Sequence, residues 1–210
     1  TSIENIHKVI DPLFLDDLKK EFKEIQAVTV RRTKEKRLDE FQNKLASLTF
    51  LDPACGSGNF LTETYLSLRR LENEVIRERV GGQITLGEVH NPIKVSIQQF
   101  YGIEINDFAV TVAKTALWIA ESQMLEETKN IVYGFNDDFL PLKTYVNITE
   151  GNALRIDWNE VVPVERLSYI MGNPPFVGYS YQSESQKKDI ENVYAVSYTH
   201  LRAHETAANL

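Results

Sequence analysis

Apolar residues recur along this chain in two patterns, one typical of amphipathic helices and one typical of short buried strands. At 59–79 and 106–124 they return every three or four residues, which predicts two helices. Short apolar runs predict four strands, at 49–51, 97–103, 145–149 and 167–171. Strands and helices alternate, so we predict an α/β fold with a doubly wound, mainly parallel sheet that is truncated at the C-terminus.

Segments outside the sheet carry predictions of their own. Asp11 followed by Pro12 predicts a helix that begins there, with Asp11 as its N-cap. The helix at 106–124 is apolar almost all round, which predicts deep burial. Glycine and proline at 81–95, and a proline within 138–143, predict loops.

Charge limits the partners that this chain can bind unaided. The formal net charge is −7, which argues against a self-sufficient nucleic-acid binder because phosphate neutralisation requires Lys and Arg. A basic surface in another domain stays compatible with this balance. The densest basic run, at 31–37, is typical of a solvated helix face, and contact with a nucleic-acid backbone is the alternative.

Residue usage also bounds compartment and metal chemistry. The longest apolar run is far too short to span a bilayer, and the N-terminus lacks a signal pattern. The single cysteine, Cys55, excludes an internal disulfide and suits a reducing compartment, so we expect the cytoplasm. Four histidines without paired spacing, and no second cysteine, predict no metal site.

A glycine turn leads directly from the first predicted strand into a helix. Gly56 and Gly58 carry no Cβ, so a ligand can approach the backbone closely. The turn lacks the third glycine of a dinucleotide fingerprint and the Gly-Lys-Ser/Thr of a P-loop. Cys55 is expected to pack under the turn, because no His lies near it in sequence to activate the thiol. Taken alone, the turn fits a cofactor site and an ordinary strand-to-helix connection equally well.

Candidate site residues follow the other predicted strands too, and the carboxyl ends of parallel strands share the edge where ligands bind. Glu104 closes the second strand, where its two oxygens can accept hydrogen bonds from both hydroxyls of a ribose. Ile105 beside it can lie against an adenine face. Asn152 and Ala153 follow the third strand. Turns favour Gly and Asn for backbone reasons alone, so an ordinary turn and a cofactor contact explain this stretch equally well.

The segment after the fourth strand is the most specific of these sites. Pro174 and Pro175 cannot donate backbone hydrogen bonds, so they predict a rigid, extended arm with outward carbonyls. The side-chain oxygen of Asn173 and the carbonyl of Pro174 can accept both protons of an exocyclic amino group, and Phe176 can stack on the ring that bears it. A merely stiffened loop would require neither Asn173 nor Phe176.

The motifs Asp-Pro-Ala-Cys-Gly-Ser-Gly-Asn-Phe, Tyr-Gly-Ile-Glu-Ile-Asn, Gly-Asn-Ala-Leu and Gly-Asn-Pro-Pro-Phe follow one another in this order. Together they resemble the S-adenosylmethionine-dependent DNA methyltransferases of the adenine-N6 type, whose fold is the class I, Rossmann-like one. The chain looks most like the methyltransferase domain of large single-chain restriction-modification enzymes. The resemblance covers roughly residues 45–195.

The resemblance implies a role for each motif. Glu104 would hold the ribose of S-adenosylmethionine, Ile105 would lie against its adenine, and Asn152 with Ala153 would meet the adenine amino group, where many members carry Asp. The target adenine, flipped out of double-stranded DNA, would be held by the catalytic residues Asn173, Pro174, Pro175 and Phe176, with Asn173 also near the cofactor. The methionine part of the cofactor would be held by the glycine turn, through Asp52, Pro53, Ala54, Cys55, Gly56, Gly58, Asn59 and Phe60.

Other enzymes share parts of this pattern. RNA guanine-N2 methyltransferases share the glycine turn, and protein-glutamine methyltransferases share Asn-Pro-Pro followed by Tyr. Phe176, and Asn59 with Phe60 after the glycines, favour DNA adenine, whereas cytosine-N4 enzymes usually carry Ser or Thr in place of Asn173. A cofactor-binding but inactive scaffold is the alternative from another class, and the intact Asn173 and Phe176 argue against it.

We expect three parts: a helical arm at 1–45, an incomplete cofactor-binding and catalytic domain at 46–195, and a sequencing-adapter or cloning scar at 196–210. His200 and His204 would then carry no function. The natural protein would continue past residue 195, and its target-recognition domain would lie in that missing part. We therefore expect weak or no activity from these 210 residues alone.

Overall fold

The computed structural model of the chain describes residues 1–81, 92–132 and 146–194. The turn predicted at 138–143 and most of the loop predicted at 81–95 lie outside these residues. The helices are α1 (Ile3–Ile10), α2 (Asp16–Gln26), α3 (Arg31–Ser47), α4 (Asn59–Val80), α5 (Asp107–Lys129), α6 (Trp158–Val161) and α7 (Glu184–Tyr194). The strands are β1 (Phe50–Asp52), β2 (Phe100–Glu104), β3 (Asn147–Glu150) and β4 (Tyr169–Ile170).

The four strands form one parallel sheet in the order β3-β2-β1-β4. The chain runs outward from β1 to β3 and then crosses back to pair β4 with the free side of β1, so the order reverses at β1. Successive residues of β1 face opposite sides, and Phe50 and Leu51 belong to two separate hydrophobic clusters. The predicted doubly wound, parallel α/β fold is confirmed.

An aromatic ladder crosses the sheet and joins it to the N-terminal helices. Phe50 stacks on Phe100 of β2 and Tyr169 of β4, with ring centroids 5.2 and 5.5 Å apart. Phe14 contacts Phe50 and Tyr169, each at 5.1 Å. The N-terminal helices therefore share one hydrophobic cluster with the sheet; the division at residue 45 stays a prediction.

The prediction of a helix beginning at Asp11 is wrong. Helix α1 begins at Ile3 with Ser2 as its N-cap, and the backbone stays helical through Asp11. A π-helical turn, Asp11–Leu15, connects α1 to α2. Pro12 has no N–H to donate to the preceding turn, and the wider π-helical turn accommodates that loss.

The second predicted strand is shorter than expected. Residues Ile97–Gln99 form a 3-10 turn, and strand β2 begins only at Phe100. Ser96 and Gln99 form a capping box at the start of this turn. The Gln99 side chain also donates to the carbonyls of Leu45 (2.9 Å) and Leu48 (2.7 Å), so hydrogen bonding overrides the strand tendency of Ile97.

Helix α5 is less buried than its composition predicts. Its inner face packs in the core, but Phe108 and Ile119 are 74% and 54% exposed. A helix can contact the sheet and α4 on one side only, so apolar residues on its other side face outward. The apolar residues on the inner face are Val110, Ala113, Leu117, Ala120 and Met124.

The basic run at 31–37 lies at the start of α3 and is largely paired with acidic residues. Arg31 donates to Glu35 (2.8 Å), and Lys34 pairs with Glu78 of α4. These pairs favour the solvated, compensated helix face over a nucleic-acid contact. Within the described residues, no helix is long and apolar enough to cross a membrane.

A buried polar network, unexpected from the sequence, ties α4 to the segment that precedes β2. Glu72 is fully buried and pairs with Arg69, which is also buried. The same carboxylate accepts from the side-chain nitrogen of Gln42 (2.8 Å) and the backbone nitrogen of Lys94 (2.7 Å). Because the charges are paired and hydrogen-bonded, the network can exist inside the fold.

Candidate cofactor and target-base site

The glycine turn between β1 and α4 is fixed by backbone hydrogen bonds. The Cys55 nitrogen donates to the Ile103 carbonyl (3.0 Å), and the Gly58 nitrogen donates to the Cys55 carbonyl (2.8 Å). Gly56 and Gly58 have φ angles of 54° and 80°, a left-handed conformation that favours glycine. A Cβ on Gly58 would also lie 3.0 Å from the Ala113 Cβ, so α5 packs directly against the turn.

Cys55 is buried in this turn, with its sulfur near Gly102 in β2. Burial raises the pKa of the thiol to about 12, and the nearby carboxylates of Asp52 and Glu104 add to the effect. The thiol is therefore neutral near pH 7, which fits a packing role rather than a nucleophilic one.

Asp52 lies at the carboxyl end of β1 and is almost fully buried. Its Oδ1 accepts a hydrogen bond from the Ala54 nitrogen (3.0 Å), yet burial raises the pKa to about 6, with a further contribution from the charge of Glu104. A Cβ on Gly172 would lie only 2.4 Å from Asp52 Oδ1. The glycine turn and the start of the Asn-Pro-Pro-Phe segment are therefore adjacent at one edge of the sheet.

Glu104, at the end of β2, connects three loops of the same edge. Its Oε2 accepts from the Gly56 nitrogen and its Oε1 from the Asn106 nitrogen, each at 2.9 Å. Its backbone carbonyl accepts from the Gly151 nitrogen (2.8 Å). Each carboxylate oxygen retains a lone pair for a further donor, such as a ribose hydroxyl.

Two apolar side chains are exposed just after Glu104. Ile105 is 68% exposed, and Phe108, in the first turn of α5, is 74% exposed. The sequence pattern indicates Ile105 but not Phe108, because the deep burial predicted for the helix at 106–124 places Phe108 in the core. The signal that could have identified it is its position two residues after the N-cap Asn106, at the sheet edge.

Asn152 makes contacts that sequence reasoning did not foresee. Its Oδ1 accepts from the Leu154 nitrogen (2.9 Å), and its Nδ2 donates to Asp189 of α7 (3.1 Å). Arg155 also donates to Asp189, at 2.9 Å. The neighbouring Ala153 accepts from the Trp158 indole through its carbonyl (2.8 Å). The loop after β3 is thus held between its own turn and α7.

The Asn-Pro-Pro-Phe segment is exposed throughout, and the Phe176 side chain is 90% exposed. The Asn173 Nδ2 donates to the Thr1 hydroxyl (3.1 Å). Just before the segment, buried Met171 accepts from the Thr64 hydroxyl through its sulfur (3.4 Å). The segment therefore begins at a fixed point and then projects into solvent.

The chain is similar in sequence to curated proteins from other organisms. Among curated proteins, DNA methyltransferase A of Bacillus subtilis (strain 168) is 43% identical over 196 residues, which make up 92% of this chain and 21% of that protein. A putative type II restriction enzyme and methyltransferase of Methanocaldococcus jannaschii is 29% identical over 142 residues, or 65% of this chain and 11% of that protein.

A solved structure agrees over most of the chain. The type IIL restriction-modification enzyme MmeI in complex with DNA superimposes with a TM-score of 0.84 at 41% identity, covering 95% of this chain and 26% of that one. The chain thus spans about a quarter or less of the length of these relatives. The resemblance to the methyltransferase domain of restriction-modification enzymes is confirmed. A family model described as MmeI, DNA-methyltransferase domain, matches residues 28–205, and the chain belongs to this family.

Proposed function

We propose that this chain is the cofactor-binding and catalytic part of a site-specific DNA methyltransferase. It would transfer a methyl group from S-adenosylmethionine to the N6 amino group of adenine, within a bacterial restriction-modification or phage-defence protein. The observation that carries the proposal is the close approach of Asp52 to Gly172, which brings the glycine turn and the Asn-Pro-Pro-Phe segment to one edge. A methyl donor and a target base must meet at such an edge.

The residues at this edge fit S-adenosylmethionine. A Cβ on Gly56 would meet no atom within 4 Å, so there is open space over the turn's backbone. We propose that the turn, Asp52 to Phe60, holds the methionine part of the cofactor, and that Glu104 binds the ribose hydroxyls. The exposed Ile105 would cover the adenine, and the remaining lone pair of the Asn152 oxygen would accept from its amino group.

We propose that the chain accelerates transfer by positioning the target amino group. Its nitrogen is a poor nucleophile, because its lone pair is delocalised into the ring. Two acceptors, the Asn173 side-chain oxygen and the Pro174 carbonyl, would favour the pyramidal and more nucleophilic geometry. With its nitrogen hydrogen-bonded to the Thr1 hydroxyl, the Asn173 side chain would use its oxygen for the amino proton.

When bound, S-adenosylmethionine supplies a methyl group on a sulfonium sulfur, and the carbon–sulfur bond breaks as the carbon–nitrogen bond forms. The amino group then releases one proton to water, because neither an amide oxygen nor a backbone carbonyl is basic enough to keep it. The chain's own contribution is to hold the amino group in line and to stack the ring on Phe176.

Double-stranded DNA is the proposed partner, and the target adenine would leave the duplex to reach the edge. Base flipping costs a few kcal/mol, and stacking on Phe176, which is 90% exposed, would offset part of that cost. The net charge of −7 is consistent with a recognition domain elsewhere in the protein. We place the enzyme in the cytoplasm, in keeping with the buried, unpaired Cys55 of this chain.

Labelled methyl transfer tests this proposal. The full-length protein that contains this chain is incubated with labelled S-adenosylmethionine and, in separate reactions, duplex DNA, RNA and protein. We expect label on DNA alone, recovered as N6-methyladenine after digestion to nucleosides. Label on cytosine, RNA guanine or protein glutamine would replace the proposed target, and cofactor binding without transfer to any of these would indicate a scaffold.

A further inference from the structure

Helix α7 contacts the loop after β3 through the side chain of Asp189. The Asp189 side chain is 10% exposed, and each of its oxygens accepts one hydrogen bond. Oδ2 accepts from the Asn152 carboxamide (3.1 Å), and Oδ1 accepts from Arg155 (2.9 Å). The hydrogen bond from Arg155 lowers the pKa of Asp189, so the carboxylate is ionised near pH 7.

An ionised carboxylate selects one edge of a carboxamide. It can only accept hydrogen bonds, so it must face the nitrogen of Asn152 and not the oxygen. The Leu154 nitrogen, a donor, faces the opposite edge at 2.9 Å from Oδ1. The two contacts together fix which way the carboxamide points, and the oxygen keeps one lone pair for another donor.

We infer that Asp189 is a positioning residue for cofactor recognition: it holds the Asn152 carboxamide so that Oδ1 is offered to the amino group of the cofactor's adenine. The inference rests on the proposed function, because it requires the adenine to lie at this loop. It also explains how a neutral amide can serve there, since the acidic group is supplied from α7 and acts through Asn152 without touching the ligand.

The hydrogen bond between Asn152 and Asp189 also connects the loop after β3 with the chain that follows the Asn-Pro-Pro-Phe segment. Helix α7 follows the exposed Asn-Pro-Pro-Phe segment in sequence, and its Asp189 returns the chain to the loop that would hold the cofactor's adenine. The segment at 173–176 is thus fixed at Met171 before it and at Asp189 after it.

A charge exchange between the two positions tests the inference. In the full-length protein, we compare wild type, Asn152→Asp, Asp189→Asn, Asp189→Leu and the double variant Asn152→Asp with Asp189→Asn for calorimetric binding of S-adenosylhomocysteine. A second ligand carries purine in place of adenine and so lacks the amino group. Asn152→Asp puts two carboxylates side by side, and we expect it to weaken S-adenosylhomocysteine binding about tenfold. The double variant restores a donor facing a carboxylate, and we expect binding within about threefold of wild type.

Discrimination between the two ligands separates positioning from a general loss of structure. Wild type should prefer the adenine ligand about fivefold to tenfold, the value of one hydrogen bond to an amino group. Asp189→Leu leaves the Asn152 nitrogen without its acceptor, so this variant should lose most of the preference. The double variant keeps a fixed acceptor at position 152 and should retain it. Glu191→Gln removes an exposed acid from the same helix, so its combination with Asn152→Asp should restore nothing.

Each outcome has a defined meaning. Loss of rescue in the double variant, or an unchanged preference in Asp189→Leu, overturns the inference. If circular dichroism shows that Asn152→Asp is unfolded, Asp189→Leu decides alone, because Leu keeps the branched shape of Asp without its acceptors, and an unchanged preference again overturns the inference. If wild type binds no S-adenosylhomocysteine, it is the proposed function that fails.

Discussion

The glycine turn after β1 and the Asn-Pro-Pro-Phe segment after β4 lie at the same edge of the sheet but differ in how the fold holds them. The glycine turn is held by the rest of the fold: its backbone nitrogens donate to the Ile103 carbonyl and the Glu104 carboxylate, and α5 packs behind Gly58. The Asn-Pro-Pro-Phe segment begins at the same place, beside Asp52, but its four side chains are exposed. The glycine turn is thus hydrogen-bonded within the fold, whereas the side chains of the Asn-Pro-Pro-Phe segment face solvent.

This difference matches the two partners proposed for the site. A small cofactor is bound well by a cradle that is already formed, because little conformational entropy is lost on binding. A nucleobase arrives with a macromolecule and needs open access, while the two prolines keep the exposed segment stiff. Substitutions should therefore change stability on the cofactor side and activity on the target side.

The largest contrast is expected between two phenylalanines. Phe50→Ala removes the centre of the aromatic ladder and should lower the free energy of unfolding by about 3–5 kcal/mol, because Phe50 is fully buried. Phe176→Ala should change it by less than about 0.5 kcal/mol, because Phe176 is 90% exposed. Urea unfolding followed by circular dichroism measures both. Equal losses would show that the exposed segment contributes to the core.

Asn173→Ala should remove activity and leave the fold intact. The proposed acceptor for one amino proton is lost, so the rate of methyl transfer by the full-length protein should fall about 100-fold or more. Binding of S-adenosylhomocysteine and thermal unfolding should stay within error of wild type, since the side chain is exposed. Near-normal transfer by this variant would remove Asn173 from the proposed mechanism.

Asp52→Asn should raise the free energy of unfolding at neutral pH, because it removes the buried negative charge of Asp52. The folded pKa of Asp52 is raised from 3.8 to about 6, so its contribution to stability is present below pH 4 and lost as pH rises through 6. The variant keeps an acceptor for Ala54 but cannot ionise. Relative to wild type it should gain about 2–3 kcal/mol between pH 4 and 7. Denaturant unfolding at several pH values measures the free energy of unfolding of both proteins. A difference between them that does not change with pH would contradict the raised pKa of Asp52.

Phe176→Ala should lower kcat/KM for DNA without changing KM for S-adenosylmethionine. Loss of base stacking is worth about 1–3 kcal/mol, so kcat/KM for DNA should fall about 5-fold to 100-fold, whereas KM for S-adenosylmethionine should not change. Phe176→Tyr keeps the stacking face and should retain most activity. Parallel changes in both substrates' KM values would place Phe176 on the cofactor side instead.

Gly56→Ala should lower stability less than Phe50→Ala does. Alanine there has open space around its Cβ and is opposed only by the left-handed φ of 54°, at a cost of about 1–2 kcal/mol. The added methyl group nevertheless enters the proposed cradle, so cofactor affinity should fall more than stability does. The matched change Gly81→Ala, at the end of α4 and away from this edge, should leave cofactor affinity unaffected in the same calorimetric titration.

Local patterns determined much of the fold and the candidate site. Helical spacing predicted α4 from Asn59 almost to its end, and alternation of strands and helices predicted the parallel sheet. The rule that ligands bind at the carboxyl edge then brought four distant motifs together. The fold predictions succeed because period, turn chemistry and strand direction are properties of short stretches of chain, whereas the ligand at this edge stays a prediction.

Contacts between distant residues decided the rest. Asp11, expected to be an N-cap, lies instead in a π-helical turn that carries Phe14 onto the sheet, and Phe108, in a helix expected to be deeply buried, is exposed at the sheet edge. Arg69 and Glu72, ordinary surface types by composition, are buried together because each satisfies the other. No pattern near Asn152 pointed to Asp189, since 37 residues separate them and only packing of α7 brings them together.

The sequence by itself therefore determined the order of elements and the chemistry carried at the end of each strand. Only the tertiary structure decided which of those groups is already satisfied and which stands open to a partner. The physical reason is that a side chain's type is local, whereas its burial and hydrogen-bond partners depend on what the rest of the chain packs against it.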